Sequence, residues 1–361
     1  MHAARPGKPP LVRSLSFHAG YRCQNTGVCC SSGWQIAVEE PVEVFLRPRL
    51  PAIAERLPNG PDGFRPMATP PAGCRDAFRR TEAGVCWFRD PDRRDCAIHR
   101  EFGEEALASA CRQFPRVAVL EPDQVSVSLS HYCPTAAGLL FSPQSDFALV
   151  DDPRAFPVSW PFEGLDARLA CSPLLLPQVL LGSDGLRSLE QQAVAVLSEP
   201  GVHTGVARFD RAVRRIREWV PAAGPVPQFV ADCFDVTRRI SVSAAKPSDP
   251  RPVLQASVPQ GVRVPVLPQF APSEADLSTG VDLALRRYVA ARLVAGWILY
   301  LANDLAVTAK YLRFCLDVVL LFEGARERSE PETARWREAI RTADLWILHF
   351  CDPDLLARNL R

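Results

Sequence analysis

Apolar and polar positions along this chain change rhythm several times, and each rhythm predicts an element. Trp34, Ile36 and Val38 alternate with Gln35, Ala37 and Glu39, the two-residue period of a half-buried strand. Val125, Val127 and Leu129 alternate with Ser126, Ser128 and Ser130 and predict another. Glu39, Glu40 and Pro41 predict a helix start, with acids near its positive end and Pro in the first turn; Arg47 and Pro48 mark its end. Gly103, Glu104 and Glu105 open a short helix in which Leu107, Cys111 and Phe114 fall on one face, until Pro115 stops it. Pro134 suits a first helical position, which makes Cys133 the N-cap. Residues 173–218 read as helical, chiefly 186–197 and 206–220, with 181–185 a turn between helical segments. Residues 273–323 carry a long helical pattern bent near Gly296 or Asn303, and 332–360 a final helix pair. Stretches 51–73 and 221–273 are Pro-rich and read as connectors, and 141–172 as irregular.

These elements predict a mainly α fold with a small irregular α+β cysteine-rich N-terminal domain and a helical C-terminal part. The expected divisions are a flexible N-terminal arm over 1–16, a cysteine-cluster domain over 17–141, a helical and Pro-rich middle segment over 142–272, and a C-terminal helical domain over 273–361.

Composition narrows the function classes. The 361 residues carry a net charge of +1, with no basic excess for nucleic acid. The opening residues lack an apolar core of signal-peptide length, and the longest apolar run, 293–302, is too short to span a bilayer. A soluble cytoplasmic protein without membrane partners is expected. In that reducing setting the 12 cysteines point to metal binding before disulfides.

The strongest candidate chemistry is in residues 21–38. Cys23, Cys29 and Cys30 fall in a loop of Gln, Asn, Thr, Gly and Ser that cannot pack by itself. A metal ion or an iron–sulfur cluster would fix it. Cys86 and Cys96 flank a turn at Asp90, Pro91 and Asp92 and should face each other; Cys111 should point toward them. Cys133 would sit at the positive end of its helix, which favours thiolate. The candidate ligands are therefore Cys23, Cys29, Cys30, Cys86, Cys96, Cys111 and Cys133, and soft sulfur favours zinc or iron–sulfur over magnesium or calcium. Cys171, Cys233, Cys315 and Cys351 sit among apolar residues and read as core; Cys74 fits either role. Arg112 and Arg116 would balance thiolate charge, hold a carboxylate, or lie on a solvated helix face. His18, His99 and His131 flank cluster cysteines as ligands or as hydrogen-bonded histidines, His99 being the best placed. Trp34 should pack over the cluster, and His349 in the core. Arg313 and Asp317 should pair at i, i+4, with Asp304 and Lys310 on the same helix; a pocket for a substrate lysine is the minority reading there.

Residues 21–34 resemble the opening of the cysteine-cluster proteins described as zinc- or iron-chelating, whose pattern is CxxCGxCC. Gly84 before Cys86, Cys96-Ala97-Ile98-His99, and Cys111-Arg112 with Phe114-Pro115-Arg116 extend the likeness. Within that group the chain most resembles the flagellin lysine-N-methylases. It shares with them the Gly33-Trp34 pair, the segment from Gly103 through Leu107, and the segment Ser130 to Ala137. The resemblance covers residues 17–141. It implies a 4Fe-4S cluster or zinc, and transfer of a methyl group from S-adenosylmethionine to lysines of a flagellin-like surface-appendage protein. The family's second cysteine falls at Thr26, which is no soft ligand, so one ligand is lost or is supplied by Cys74 or water. The chain has no Gly-rich nucleotide fingerprint that would place the methyl donor, and no CxxxCxxC radical motif. The alternative is a non-catalytic metal or iron–sulfur protein for chelation, delivery or electron transfer; a structural zinc scaffold is a third reading.

Overall fold

The computed structural model describes residues 11–361 except 144, 157–163, 169–172, 177, 245, 272–276 and 303. In chain order the N-terminal elements are β1 (Leu11–Leu15), β2 (Ala37–Glu39), α1 (Glu40–Leu46), β3 (Phe64–Pro66), β4 (Cys74–Phe78), α2 (Ala97–Phe102), α3 (Ser109–Gln113), β5 (Arg116–Leu120), β6 (Gln124–Leu129) and α4 (Pro134–Leu140). Short strands β7 (Leu149–Asp151), β8 (Leu165–Asp166), β9 (Leu174–Leu176) and β10 (Val179–Leu180) follow. The rest is helical: α5 (Gly182–Ser198), α6 (Val202–Ile216), α7 (Val226–Arg239), α8 (Arg251–Ser257), α9 (Thr279–Leu293), α10 (Trp297–Leu301), α11 (Leu305–Gly324), α12 (Glu332–Leu345) and α13 (Pro353–Asn359), with a π-helical turn at Trp346–Phe350. The fold is mainly α with a helical C-terminal part, as expected. No helix among the described residues is long and apolar enough to cross a membrane.

A five-stranded sheet in the order β7-β1-β6-β5-β8 backs the helices. β1 runs parallel to β6 and antiparallel to β7. This corrects the flexible arm expected over 1–16: residues 11–15 form an internal strand, and 1–10 lie outside the described residues. The strand is held because Val12 and Leu15 are buried and Arg13 reaches Glu190 of α5 at 3.1 Å. The strand expected from that alternation is present as β6, and every position of it is buried, the serines included. Ser128 donates to the Ala291 carbonyl of α9 at 2.7 Å, and Ser126 to Glu121. Serine is small enough to let the helix approach and supplies the hydrogen bond that burial demands.

Three further expectations are corrected. The single helix over 103–114 is two pieces: Leu107 and Ala108 are extended, and α3 restarts with its Ser109 N–H donating to the Glu39 carboxylate at 3.1 Å. The Pro-rich connector over 221–273 contains α7 and α8. Pro227 falls in the first turn of α7, where its missing N–H costs nothing, and Val230, Cys233, Phe234 and Thr237 recur on one buried face. Residues 181–185 begin α5 after a strand pair instead of joining two helices. The bend before α10 falls at Ala295 and Gly296, while Asn303 lies outside the described residues.

Two cores result. One gathers the C-terminal helices with Leu15 and Phe17. The other, from Cys30 to Ala108, packs Val38, Leu46, Leu50, Phe78, Phe88 and Ile98, with Cys29, Cys96 and Cys111 against it. α9 lies between α5, α4, α12 and β6 and is buried on nearly every side. Its arginines bind backbone carbonyls: Arg286 those of Leu197 and Ser198, Arg287 those of Leu140, Ser142 and Ser145, and Arg292 that of Leu129. The first two thereby neutralise carbonyls at the C-terminal ends of α5 and α4.

Candidate functional site

Cys29 and Cys30 lie in a single 3-10 turn, Val28–Ser31, entered through Gly27. Gly27 has φ +62°, and a Cβ there would stand 2.6 Å from the Arg94 carbonyl. Glycine thus lets the first cysteine loop close on the excursion that carries Cys86 and Cys96. The Cys86 N–H donates to the Cys30 carbonyl at 2.8 Å, and Ala97 N–H to the Phe88 carbonyl at 2.9 Å. Cys96 is the N-cap of α2, a helix absent from the sequence reading.

This scaffold gathers four sulfurs. The Cys30 side chain is hydrogen-bonded to those of Cys29, Cys86 and Cys96. Those bonds push the Cys30 thiol well up, and they hold Cys29, Cys86 and Cys96 below the ordinary thiol value. Backbone N–H groups favour the same three thiolates: Phe88 at Cys86, Ile98 and His99 at Cys96, Cys30 at Cys29. Cys111 is electrostatically close to Cys29, Cys86 and Cys96, and burial of its thiol pushes it well up, although the residue as a whole is only half-buried.

Cys23 and Cys133 are not among the thiols bonded to Cys30, although Cys23 is electrostatically close to Cys29. Cys23 is exposed, its sulfur accepting the Asn25 N–H at 3.4 Å. Cys133 caps α4 as expected, but its sulfur faces the Tyr21 hydroxyl at 3.9 Å. Cys74 opens β4 opposite Glu39. Cys233, Cys315 and Cys351 are in the helical core as expected, and Cys171 is outside the described residues.

Arg80 is the cation beside the sulfurs, and the sequence reading missed it. Burial lowers its pKa, while Cys86, Cys30 and Cys111 work against that loss. Its guanidinium is held by the Trp34 carbonyl, with Nε at 2.7 Å, and by the Gly84 carbonyl. The turn at Thr81–Gly84 folds Arg80 back opposite Cys86. Arg112 instead donates to the carbonyls of Glu105 and Leu107, and Arg116 to that of Ala155. Of the histidines, His99 Nδ1 meets Asn25 Oδ1 at 3.3 Å, and His18 and His131 share an Nε2–Nε2 hydrogen bond of 3.2 Å.

As the side chains stand, no group of three or more His, Cys, Asp or Glu among the described residues is arranged to hold a metal ion. The chemistry of the donor set nonetheless fits a thiophilic centre. Four soft sulfurs are neighbours, amide N–H groups favour their thiolates, and a guanidinium offsets part of the charge.

A cavity of about 220 Å³ lies between Trp34 and the C-terminal helices. Trp34, Phe114, Trp297 and His349 are among its walls. His349, expected in the core, stacks on Trp34 with centroids 4.4 Å apart and shares a 2.9 Å hydrogen bond with Ser130 Oγ. Trp34 packs against the cysteine-side core and also walls this cavity. The Arg313–Asp317 pair is present at 3.9 Å, and Asp317 also accepts from Ser248.

Burial pushes His349 down to about 3 and lowers His18 and His131 as well. These groups bind protons more readily unfolded, so their contribution is complete above about pH 6.5 and is lost as pH falls toward the folded values. Stability should therefore drop between pH 7 and 5, by up to about 1.4 kcal/mol per histidine per pH unit, and thermal midpoints should fall with it. His349→Gln should flatten that slope; equal slopes in the two proteins would refute the assignment.

Comparison with protein-family models, curated proteins and solved structures finds no match to this chain.

Proposed function

We propose that this chain is a cysteine-cluster protein that holds an iron–sulfur cluster or a zinc ion through Cys29, Cys30, Cys86 and Cys96. Cys111 lies beside them, and Arg80 offsets their charge. The observation that carries this reading is the convergence on Cys30 of sulfurs from the 3-10 turn, the Cys86 bridge and the α2 N-cap. Thr26 is then immaterial, because four thiols are gathered without it. The cysteine-rich α+β unit is proposed in narrower form than 17–141, as the part sharing the core from Cys30 to Ala108, since β5, β6 and α4 belong to the sheet and its helices.

An iron–sulfur cluster there would supply one-electron chemistry, and zinc a structural tie. The test is iron, sulfide and zinc analysis of protein purified without oxygen. Brown protein with matching iron and sulfide supports the cluster, and colourless protein with one zinc supports the tie. Protein with neither overturns the proposal.

As activity we propose methyl transfer from S-adenosylmethionine to lysine side chains of a flagellin-like protein. Its support is the motif resemblance over residues 17–141. Calorimetric binding of S-adenosylmethionine to the metal-loaded protein is expected. Its absence would leave the non-catalytic reading of chelation, delivery or electron transfer.

A further inference from the structure

A groove on the helical part shares no lining residue with the thiol group or with the Trp34 cavity. It lies between α6 and α11, is also lined by residues 240–243 after α7, and has a volume of about 760 Å³. Small-molecule sites run to about 300–1,000 Å³. Its charge is one-sided. Arg211, Arg214 and Arg217 recur every third residue at the end of α6, and Lys310 and Arg313 do so on α11; all five line the groove. Among the described residues the acids that line it are Asp210 and Asp317, and Asp304 pairs with Arg217 from outside the lining at 3.4 Å. Five cations thus meet three carboxylates. His203 lines the groove too, but burial lowers its pKa and it adds no charge at pH 7. A surplus of that sign repels an ammonium group, against the lysine-pocket reading of this helix.

The partners of these cations show which are available. Arg313 donates to the Lys246 carbonyl and lies 3.9 Å from Asp317. Lys310 donates to the main-chain oxygen of Arg361, a residue that itself carries a cation. Arg214 pairs with Asp210 at 2.7 Å, and Arg211 is exposed with no hydrogen-bond or ion-pair partner among the described residues. Exposed pairs such as Arg214–Asp210 hold weakly, so the guanidinium can change partners. Arg211 and Arg214 are also neighbours at i, i+3 and can converge on one group. A phosphate monoester carries close to two negative charges at pH 7, matching the surplus, and its oxygens suit the guanidinium fork. Val206, Val213, Ala309 and Leu316 line the groove as well, and Ile240 is 38% exposed, so a bare ion would leave apolar surface uncovered. We propose that the groove between α6 and α11 binds a small organic phosphate monoester, with the phosphate on Arg211 and Arg214 and an apolar body against the remaining lining. The proposal stands whether or not the thiol group holds a metal.

The probes are naphthyl phosphate, naphthol without the charge, and inorganic phosphate without the body. Each is titrated calorimetrically into the full chain at low salt. Naphthyl phosphate should bind about tenfold or more tighter than either of the others, the worth of one charge-assisted hydrogen bond. Arg211→Gln should weaken it by about the same factor. Arg211 has no partner to lose, so its replacement leaves the fold intact. Arg75→Gln removes an equal charge from the exposed side of β4 and should leave naphthyl phosphate binding at the wild-type level. Equal weakening by the two variants would mean general attraction to a basic surface and overturn the site. Inorganic phosphate or naphthol binding as tightly as the ester would also overturn it. So would no binding of the soluble ester, even where vesicles of phosphatidic acid are bound.

Discussion

Cys30→Ser should lower bound iron or zinc by about tenfold or more, while Cys315→Ser leaves it at the wild-type level. Cys30 is the thiol bonded to all three of its neighbours, so its loss opens the centre of the group. Serine keeps the size but offers a hard oxygen in place of soft sulfur. Because ligation in a loop of this kind is also folding energy, the same variant should lose soluble yield. Cys315 is fully buried in the helical core next to Tyr311, away from these sulfurs, and controls for the generic cost of a lost thiol. Cys133→Ser should behave like Cys315→Ser, since its sulfur faces Tyr21. Metal analysis of the three variants decides this. Equal metal in Cys30→Ser and Cys315→Ser would sink the assignment of the centre.

The sulfur group was partly legible because local chemistry marked it. A polar loop with three thiols, and a turn of Asp and Pro between two more, are signals that do not depend on distant contacts. What remained hidden was set by tertiary packing. Spacing alone could not show that Tyr21 stands between Cys133 and Cys23, or that a four-residue turn returns Arg80 to Cys86. The same division holds for the fold. Alternation located β6, but the burial of its serines depends on α9, which lies more than 160 residues away. Proline in 221–273 read as a breaker because first-turn proline and linker proline look alike until the buried face of α7 is seen. The burial of the α9 arginines is hidden for a similar reason: their partners are backbone carbonyls, which no sequence pattern displays.

Those buried charges set the other large effect. Asp344 is fully buried, where burial alone would push its carboxyl up; Arg292 and His131 outweigh that and hold it below its ordinary value. It accepts from the Tyr288 hydroxyl at 2.9 Å and from the His131 backbone N–H, tying α12 to α9 and to the end of β6. Asp344→Asn preserves shape but leaves the Arg292 charge buried without its counter-ion, a loss of about 3–5 kcal/mol. In thermal melts at pH 7 that should lower the midpoint by roughly ten degrees. The sign with pH follows from the depressed carboxyl: its contribution is present above the unfolded value near 3.9 and is lost only as pH falls through the folded one. Mild acid therefore acts on the histidines first and leaves this ion pair intact. The double variant Asp344→Leu with Arg292→Met removes both charges and should regain much of the loss, because an apolar pair of similar size needs no counter-ion. A single variant melting within about a degree of wild type, or a double variant no better than the single, would show that Arg292 is held by its carbonyl partners alone.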